Sequence, residues 1–410
     1  MINFRLALKT NPMTSTRRAF IKKGGMTAGG LATATFLGSS ILADEKGNSG
    51  RKTGLKGFKI TRMFADPINY EMDPFPIALG VMTHLDNALV TIVLENGVEG
   101  YGEAAPIMTI NGENQQTILG TLNSCREFIV GQDINNYRSI AYTLKSAFWA
   151  QSAARCAIEM ALLDAYTKTL GIPFYSFLGG TETRIETDYT IAIVPAEEAK
   201  RQAVKLASEG FRVIKTKVGT DLKDDIDRVL AIRDGAPQCG MLIDANQGYN
   251  PKTALRFINE VVSHGIYPVM FEQPVLKSDL AGMKYVRDNT EIMVGADESV
   301  FSRADAINVV RTGCADAINI KLMKSCIIES LDIAAVARSA NLKLMIGCMV
   351  ETNLGLACAV HFAAGVGGFD FIDLDPSFDA SECPVKGGPV YTAPYWTIGQ
   401  GSGLGFTGRQ

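Results

Sequence analysis

Short apolar runs that each end in a charged residue recur through the second half of the chain. The charged ends are Lys217, Asp244, Glu272, Asp297 and Lys321, at intervals of 27, 28, 25 and 24 residues. Each interval accommodates one buried strand, a loop, a helix and a return loop, so the pattern predicts successive parallel strands of a barrel. In such a barrel the last side chains of the strands meet at one rim.

Three further apolar runs complete the predicted barrel, which we place over residues 184–377. One run precedes the five, at 187–193, and two follow them, at 342–346 and 371–375. Helical patterns at 196–208 and 330–340 lie between strands. The prediction is an α/β fold with eight strands, in which Lys217 and Lys321 lie on the second and sixth.

Residues 57–183 carry a different pattern and predict an α+β domain ahead of the barrel. The apolar run at 88–94 is followed by Glu95-Asn96-Gly97 and a second run, which indicates a β-hairpin. Small and apolar residues at helical spacing over 153–165 predict a helix that ends at Gly171. We expect the Gly- and Pro-rich tail, 378–410, to return to this first domain.

The first 56 residues differ from the remainder. Thr16-Arg17-Arg18-Ala19-Phe20 is a twin-arginine pattern, and a weakly apolar stretch rich in Gly, Ala and Thr follows it. We therefore predict a twin-arginine signal peptide at 1–43 and a polar linker at 44–56. This implies recognition by the twin-arginine export machinery and a periplasmic location.

Composition narrows the classes of function. The 410 residues are 47% hydrophobic, enough for a large core, and the net charge of −3 argues against nucleic acid as a partner. The eight cysteines show no paired spacing, and several lie in apolar runs, so we interpret them as small core residues. Self-association into a homo-oligomer stays open.

The charged strand ends suggest metal-assisted proton transfer. Asp244, Glu272 and Asp297 would repel one another at one rim unless a divalent cation lay between them, and an all-oxygen ligand set favours Mg²⁺. Such a cation would stabilise the charge that develops on a carboxylate when the adjacent carbon loses its proton. Lys217 and Lys321 then become the acid/base pair.

The positions of the two lysines predict the stereochemistry. Strands two and six lie on opposite sides of an eight-stranded barrel, so one lysine could remove a proton from one face while the other returns it to the opposite face. A base of this kind needs a lowered pKa, which burial and a neighbouring cation provide. Lys215 shares a strand face with Lys217 and is the neighbouring cation that we expect, and we also predict that it contacts the substrate.

These residues lie in motifs that resemble the enolase superfamily, its muconate-lactonizing subgroup, and most closely the dipeptide epimerases. The resemblance covers about residues 57–380 and implies a modified TIM-type (β/α)7β barrel with an N-terminal α+β capping domain. Its anchors are Lys215-Thr216-Lys217, Asp244-Ala245-Asn246, Phe271-Glu272-Gln273-Pro274, Ala296-Asp297-Glu298-Ser299 and Asn319-Ile320-Lys321.

The resemblance also implies roles for residues outside the metal set. In dipeptide epimerases an Asp-x-Asp pair on the last strand holds the substrate α-ammonium group, and Asp373-Leu374-Asp375 matches it. Two carboxylates on one strand face would suit a cation that donates several hydrogen bonds. We expect Asn246 to orient a metal ligand, and Glu298 either to bind Lys321 or to lie beside the metal ligands.

Substrate selectivity is expected to depend on an early loop at 66–84. In epimerases acting on Ala-Glu this loop usually offers an arginine, whereas Met82 stands at that position here. No lysine or arginine occurs between Arg62 and Arg126. An unpaired buried carboxylate would be costly, so we predict a dipeptide epimerase for small or hydrophobic dipeptides.

Four alternatives remain. The same lysines and metal could serve an Ala-Glu epimerase of peptidoglycan peptide metabolism, a cycloisomerase or β-eliminating enzyme, or an N-acylamino acid racemase. Asp373 and Asp375 argue against the cycloisomerase or β-eliminating enzyme, because an anionic substrate without an ammonium group gains nothing from them. They argue less strongly against the racemase, which stays open. The non-enzymatic alternative is an exported ligand-binding barrel, which would be expected to have lost one of the five charged anchors.

Overall fold

A computed structural model describes residues 57–377 and 382–410 of the chain. The predicted signal peptide and the predicted linker therefore lie outside the described residues. Within those two ranges, every helix is too short or too polar to span a bilayer.

The capping domain opens with three antiparallel strands: β1 (Ile60–Ile77), β2 (Gly80–Leu94) and β3 (Glu99–Ala104). The predicted hairpin at 95–97 joins β2 to β3. The prediction of a loop at 66–84 is wrong. These residues form a long two-stranded ribbon of β1 and β2 that turns at residues 78–79. β1 contains three prolines, which it tolerates because it is an edge strand and is irregular between Glu71 and Phe75.

Five α-helices and one 3-10 turn complete this domain. The fourth helix is buried almost throughout and lies against β3, where a Cβ atom on Gly100 or Gly102 would come within 2.1 Å of a helix carbonyl oxygen. Glycine at both positions is what permits this close packing. The elements are α1 (Met108–Asn111), α2 (Gln115–Ile129), the turn Ile134–Asn136, α3 (Tyr137–Ala147), α4 (Ser152–Leu170) and α5 (Phe174–Phe177).

Eight parallel strands form the barrel, in the same order in space as in the chain. The first and last strands approach closely enough for the Asp188 amide to donate to the Ile372 carbonyl oxygen at 3.0 Å. A short strand, β4 (Arg184–Glu186), precedes the barrel. The barrel strands are β5 (Tyr189–Ile191), β6 (Val213–Lys217), β7 (Gly240–Asp244), β8 (Met270–Glu272), β9 (Val294–Ala296), β10 (Ala317–Lys321), β11 (Lys343–Gly347) and β12 (Phe371–Asp373).

Helices follow the strands around the barrel, and α6 has the predicted bounds. Inside, Leu242, Met270, Ala317 and Met345 form a fully buried apolar layer. The charged strand ends lie above this layer, so the barrel interior is closed below the rim. The helices are α6 (Ala196–Ser208), α7 (Leu222–Gly235), α8 (Pro251–Ser263), α9 (Leu280–Asp288), α10 (Arg303–Thr312), α11 (Leu322–Ser325), α12 (Ile327–Ser339) and α13 (Asn353–Val366).

The tail adds four short strands that touch both parts of the protein. Arg409 Nη2 donates to Asp66 Oδ2 at 2.7 Å and to Thr91 Oγ1 at 2.8 Å, both in the capping domain. The third tail strand pairs with β4 beside the barrel. The tail strands are β13 (Val385–Gly387), β14 (Val390–Thr392), β15 (Tyr395–Thr397) and β16 (Phe406–Arg409).

Candidate active site

Three carboxylates meet at the rim where the barrel strands end. Asp244 and Glu272 are the last residues of β7 and β8, and Asp297 directly follows β9. One oxygen of each lies within 4.8 Å of the others, and all three side chains are fully buried. Buried carboxylates this close repel one another, so the cluster needs cations to be stable.

Lys217 and Lys321 reach these carboxylates from the second and sixth strands. Lys217 Nζ lies 2.6 Å from Asp244 Oδ2, and Lys321 Nζ lies 2.8 Å from Asp297 Oδ2. Both lysines are almost fully buried and line one cavity between the barrel and the capping domain. The structure thus brings two amines to one cavity from opposite sides of the barrel.

The carboxylates and lysines control each other's protonation. Burial by itself would raise the pKa of Asp244, but Lys217 and Lys215 outweigh it and lower the pKa to about 2. Burial opposes charge on Lys321, yet Asp297 outweighs it and raises the Lys321 pKa above its ordinary value. We expected a lysine base to have a lowered pKa. For Lys321 paired with Asp297 this expectation is wrong, because the pKa is raised.

Lys215 corrects another expectation. Its ammonium lies 2.7 Å from Glu272 Oε2, 2.7 Å from Asp373 Oδ2 and 3.2 Å from Asp244 Oδ2, and its side chain is fully buried. Burial opposes its charge, but these carboxylates outweigh burial and raise its pKa well above the ordinary value. Because Lys215 lies two residues below the strand end, it does not line the cavity. It is a fixed internal cation and not a substrate contact.

Asn246 and Glu298 support the carboxylate cluster. Asn246 donates from its amide nitrogen to Asp244 Oδ1 at 2.9 Å, and from its side chain to Asp244 Oδ2 and Glu298 Oε1, each at 3.2 Å. Burial, with the charges of Asp297 and Asp244, raises the pKa of Glu298 to about 8. Glu298 therefore lies beside the cluster through Asn246, and the alternative in which it binds Lys321 is not observed.

Sequence reasoning gave no role to two residues that hold the cluster. Asn319 donates to Glu272 Oε1 at 2.5 Å, and Lys324 lies 2.6 Å from Asp297 Oδ1. Asn319 precedes Lys321 by two residues and so shares its strand face, a signal that could have identified it. Lys324 could not have been found this way, because its position depends on the short helix α11.

The Asp-x-Asp pair lies at one end of the cavity and is held by strand β5. Thr190 donates from its backbone nitrogen to Asp375 Oδ2 at 2.9 Å, and from Oγ1 to Asp373 Oδ1 at 3.4 Å. Both aspartates line the cavity. Burial and the charge of Asp373 raise the pKa of Asp375 to about 6. This end of the cavity therefore offers two carboxylates to a cationic group at neutral pH.

The opposite wall of the cavity is apolar and comes largely from the capping domain. Met82 on β2 pairs with Phe75 on β1, which places both side chains at the tip of the ribbon. Loop residues after β11 extend the same surface. Among residues 57–377 and 382–410, no lysine or arginine contributes to this apolar wall. Its apolar members are Phe75, Ile77, Met82, Ile107, Ile110, Met349 and Val350.

The carboxylate cluster fits Mg²⁺. Its ligand atoms are all carboxylate oxygens, which hard divalent cations prefer. Asn246 Oδ1 and Glu298 Oε2 are buried beside it without a hydrogen-bond partner in residues 57–377 and 382–410. Unpaired buried oxygens of this kind are costly, and a cation with its bound waters would satisfy them.

Comparison with known proteins agrees with this geometry. Residues 59–179 match the mandelate racemase / muconate lactonizing enzyme N-terminal domain, and residues 198–410 match the enolase C-terminal domain-like family. An L-Ala-D/L-Glu epimerase of Thermotoga maritima is 41% identical over 79% of this chain and 94% of its own length. An aromatic dipeptide epimerase of Herpetosiphon aurantiacus is 38% identical over 81% of this chain and 94% of its own.

A solved structure shows the same fold with ligands. The dipeptide epimerase of Enterococcus faecalis, complexed with Mg and L-Leu-L-Tyr, has a TM-score of 0.82 and 35% identity, and the alignment covers 85% of this chain and 99% of that one. The matches span both the capping domain and the barrel. The chain therefore belongs to the mandelate racemase/muconate lactonizing enzyme family of the enolase superfamily.

Proposed function

We propose that this protein is a Mg²⁺-dependent dipeptide epimerase that prefers hydrophobic dipeptides. The observation that carries the proposal is the approach of Lys217 and Lys321 to one cavity from opposite sides of the barrel. Two bases on opposite faces of an α-carbon can remove a proton from one face and return a proton to the other. This exchange inverts the configuration at that carbon.

The remaining residues orient the substrate around the two lysines. Asp373 and Asp375 bind the α-ammonium group of the N-terminal residue through charge-assisted hydrogen bonds. Mg²⁺ held by Asp244, Glu272 and Asp297 would bind the C-terminal carboxylate, make the α-proton more acidic and weaken the attraction of these carboxylates for the lysines. The α-carbon of the C-terminal residue then lies between Lys217 and Lys321, which take and return its proton.

The apolar wall supports the preference for hydrophobic dipeptides. With the ammonium end and the carboxylate end fixed on the barrel, the C-terminal side chain extends towards the ribbon. There it meets Phe75, Ile77 and Met82, and the part of the chain that the structure describes places no lysine or arginine on this wall to pair with a glutamate side chain. Burying that carboxylate without a partner would cost several kcal/mol by the usual penalty for an unpaired buried charge, roughly 3 to 5. A hydrophobic side chain gains free energy from the same contact.

A library of L-Ala-L-X dipeptides incubated with Mg²⁺ in D₂O tests both parts of the proposal. Epimerisation replaces the α-proton by deuterium, so active dipeptides show a mass increase. We expect exchange for X = Leu, Val, Phe or Tyr, with kcat/KM at least about tenfold above that for X = Glu.

Two results would contradict the proposal. A preference of about tenfold or more for Ala-Glu would favour the second candidate, an Ala-Glu epimerase. This candidate is supported by the similarity to the L-Ala-D/L-Glu epimerase of Thermotoga maritima. If no dipeptide exchanged its α-proton but N-acylamino acids did, the proposal that the protein is a dipeptide epimerase would be overturned.

Export of the protein by the twin-arginine route is a separate proposal that rests on Arg17 and Arg18. Replacing both arginines by lysine keeps the charge and removes the pattern. We expect the wild-type chain in the periplasmic fraction and the double variant in the cytoplasm. Equal export of both chains would overturn this proposal and leave the proposed activity untouched.

A further inference from the structure

A fully buried carboxylate, Glu103, joins the capping domain to the barrel. It lies on β3, and its Oε1 accepts from the Thr352 amide at 3.0 Å. Its Oε2 accepts from the Thr352 hydroxyl at 2.7 Å and from the Gly355 amide at 2.9 Å. Thr352 is the N-cap of α13, and Gly355 lies in the first turn of that helix. Because a helix N-terminus carries partial positive charge, a carboxylate of the capping domain stabilises the start of this barrel helix.

Asn87 on β2 extends this contact to the loop that lines the cavity. Its side-chain nitrogen donates to Glu103 Oε1 at 2.7 Å and to the Val350 carbonyl oxygen at 2.9 Å. A carbonyl oxygen can only accept, so the bond to Val350 fixes which side of the Asn87 amide carries the nitrogen. Asn87 is 2% exposed, so both bonds lie where water does not readily replace them.

These contacts connect the two parts of the apolar wall. Met82 lies earlier on the same strand as Asn87, whereas Met349 and Val350 lie in the barrel loop at 348–352, between β11 and α13. The capping domain holds this loop at the Val350 carbonyl and again where α13 begins. The separation between the ribbon and the loop therefore depends on the side chains that join them.

We propose that Asn87 and Glu103 are positioning residues for substrate selectivity, which hold the loop at 348–352 against the capping domain and so fix the pocket for the C-terminal side chain. The proposal rests on the proposed function, in which that side chain contacts the apolar wall. Neither residue lines the cavity that holds the two lysines. They act through Val350 and its neighbours and do not touch the substrate.

Asn87→Leu tests the proposal because it roughly keeps the side-chain volume and removes both hydrogen bonds. Without them the loop can move away from the ribbon, and a large C-terminal side chain loses contact with Met349 and Val350. With saturating Mg²⁺, we expect the KM for L-Ala-L-Leu to rise about tenfold, with a smaller change in kcat. The kcat/KM for L-Ala-L-Ala should stay within about twofold of wild type, because a methyl group does not reach the wall.

Thr91→Val on the same strand is the matched control. Thr91 is 1% exposed and accepts from Arg409 of the tail at 2.8 Å, so the variant removes a buried hydrogen bond of β2 that does not involve the loop. It should keep the wild-type KM for both dipeptides.

Glu103→Gln tests the second positioning residue. Both oxygens of Glu103 accept from N–H groups, so the amide nitrogen of a glutamine would face a donor in either orientation. This variant should raise the KM for L-Ala-L-Leu relative to that for L-Ala-L-Ala, as Asn87→Leu does. Equal losses on both dipeptides would show that the contacts only support the fold, and an unchanged KM for L-Ala-L-Leu would show that the pocket does not depend on them. Either result overturns the proposal.

Amide hydrogen exchange reports on the loop without any substrate. The Thr352 and Gly355 amides donate to Glu103, so they should exchange slowly while the contact is intact. We expect exchange in the segment 349–356 to be about tenfold faster in Glu103→Gln than in wild type, and faster to a smaller degree in Asn87→Leu.

The exchange rates also separate the inference from the proposed function. Thr91→Val should exchange as wild type does, and equal rates in all four proteins would overturn the inference. If Glu103→Gln does not fold, Asn87→Leu still decides the question, because it leaves the carboxylate and its bonds to α13 in place. Failure of the wild-type chain to act on any dipeptide would overturn the proposed function, while the exchange rates would still show whether Asn87 and Glu103 hold the loop.

Discussion

The two walls of the cavity differ in origin, chemistry and rigidity. The barrel wall carries Lys217, Lys321 and the carboxylates, all placed by strand ends that are hydrogen bonded to neighbours on both sides. The capping wall carries apolar side chains from the tip of a two-stranded ribbon. The barrel wall can perform the same proton transfer on any dipeptide, whereas the capping wall can discriminate between C-terminal side chains.

Because of this difference, we expect the proton transfer and the substrate selectivity to respond to substitutions in different walls. A carboxylate of the barrel wall has several partners, so its replacement disrupts a network: Asp244, for example, contacts Lys215, Lys217 and Asn246. A side chain of the ribbon tip has mainly apolar neighbours. We expect substitutions in the barrel wall to abolish activity and substitutions in the capping wall to redirect it.

The largest effect is expected from the carboxylates. Asp244→Asn, Glu272→Gln and Asp297→Asn each remove a ligand charge, and kcat/KM should fall about a thousandfold or more on every dipeptide. Chelation should abolish wild-type activity, and added Mg²⁺ should restore it. Asp227→Asn, which breaks an exposed pair with Lys223, is the matched control and should retain wild-type kinetics. Undiminished activity of a carboxylate variant in chelator would contradict the metal assignment.

Met82→Arg should change selectivity without removing activity. An arginine at the ribbon tip can pair with a glutamate side chain, so we expect kcat/KM for L-Ala-L-Glu relative to L-Ala-L-Leu to rise about tenfold or more, equal to about 1.4 kcal/mol. Met82→Leu keeps the apolar surface and should leave the ratio near that of wild type. An unchanged ratio in Met82→Arg would show that the C-terminal side chain does not reach the ribbon.

A smaller effect is expected from pH at the ammonium end. Asp375 has a pKa of about 6, because burial and Asp373 disfavour its charge. Above pH 6 it is ionised and attracts the substrate ammonium group; below pH 6 it takes a proton and loses that attraction. KM should therefore rise several-fold between pH 7 and pH 5, in proportion to the fall in the ionised fraction of Asp375. Asp375→Asn should have a raised KM that no longer follows this titration, and a KM in this variant that still follows it would assign the pH dependence to another group.

The barrel could be predicted from the sequence because its geometry is periodic. Strand ends recur at nearly constant intervals, so Lys217 and Lys321 could be assigned to strands two and six before any coordinates. Features that depend on contacts between distant segments could not be predicted. The segment at 66–84 was expected to be a loop, but it pairs into a ribbon, and the ion pairs of Lys215 depend on three other strands.

The account's central claim is that Lys217 and Lys321 serve opposite faces of one α-carbon, and solvent exchange in the lysine variants tests it most directly. Lys217→Ala and Lys321→Ala are each incubated in D₂O with L-Ala-L-Leu and L-Ala-D-Leu separately, and deuterium incorporation and epimer composition are measured. We expect no net epimerisation by either variant. Any residual exchange should be confined to one epimer, and the exchanging epimer should differ between the two variants. Normal epimerisation by either variant, or equal exchange of both epimers by one of them, would contradict it.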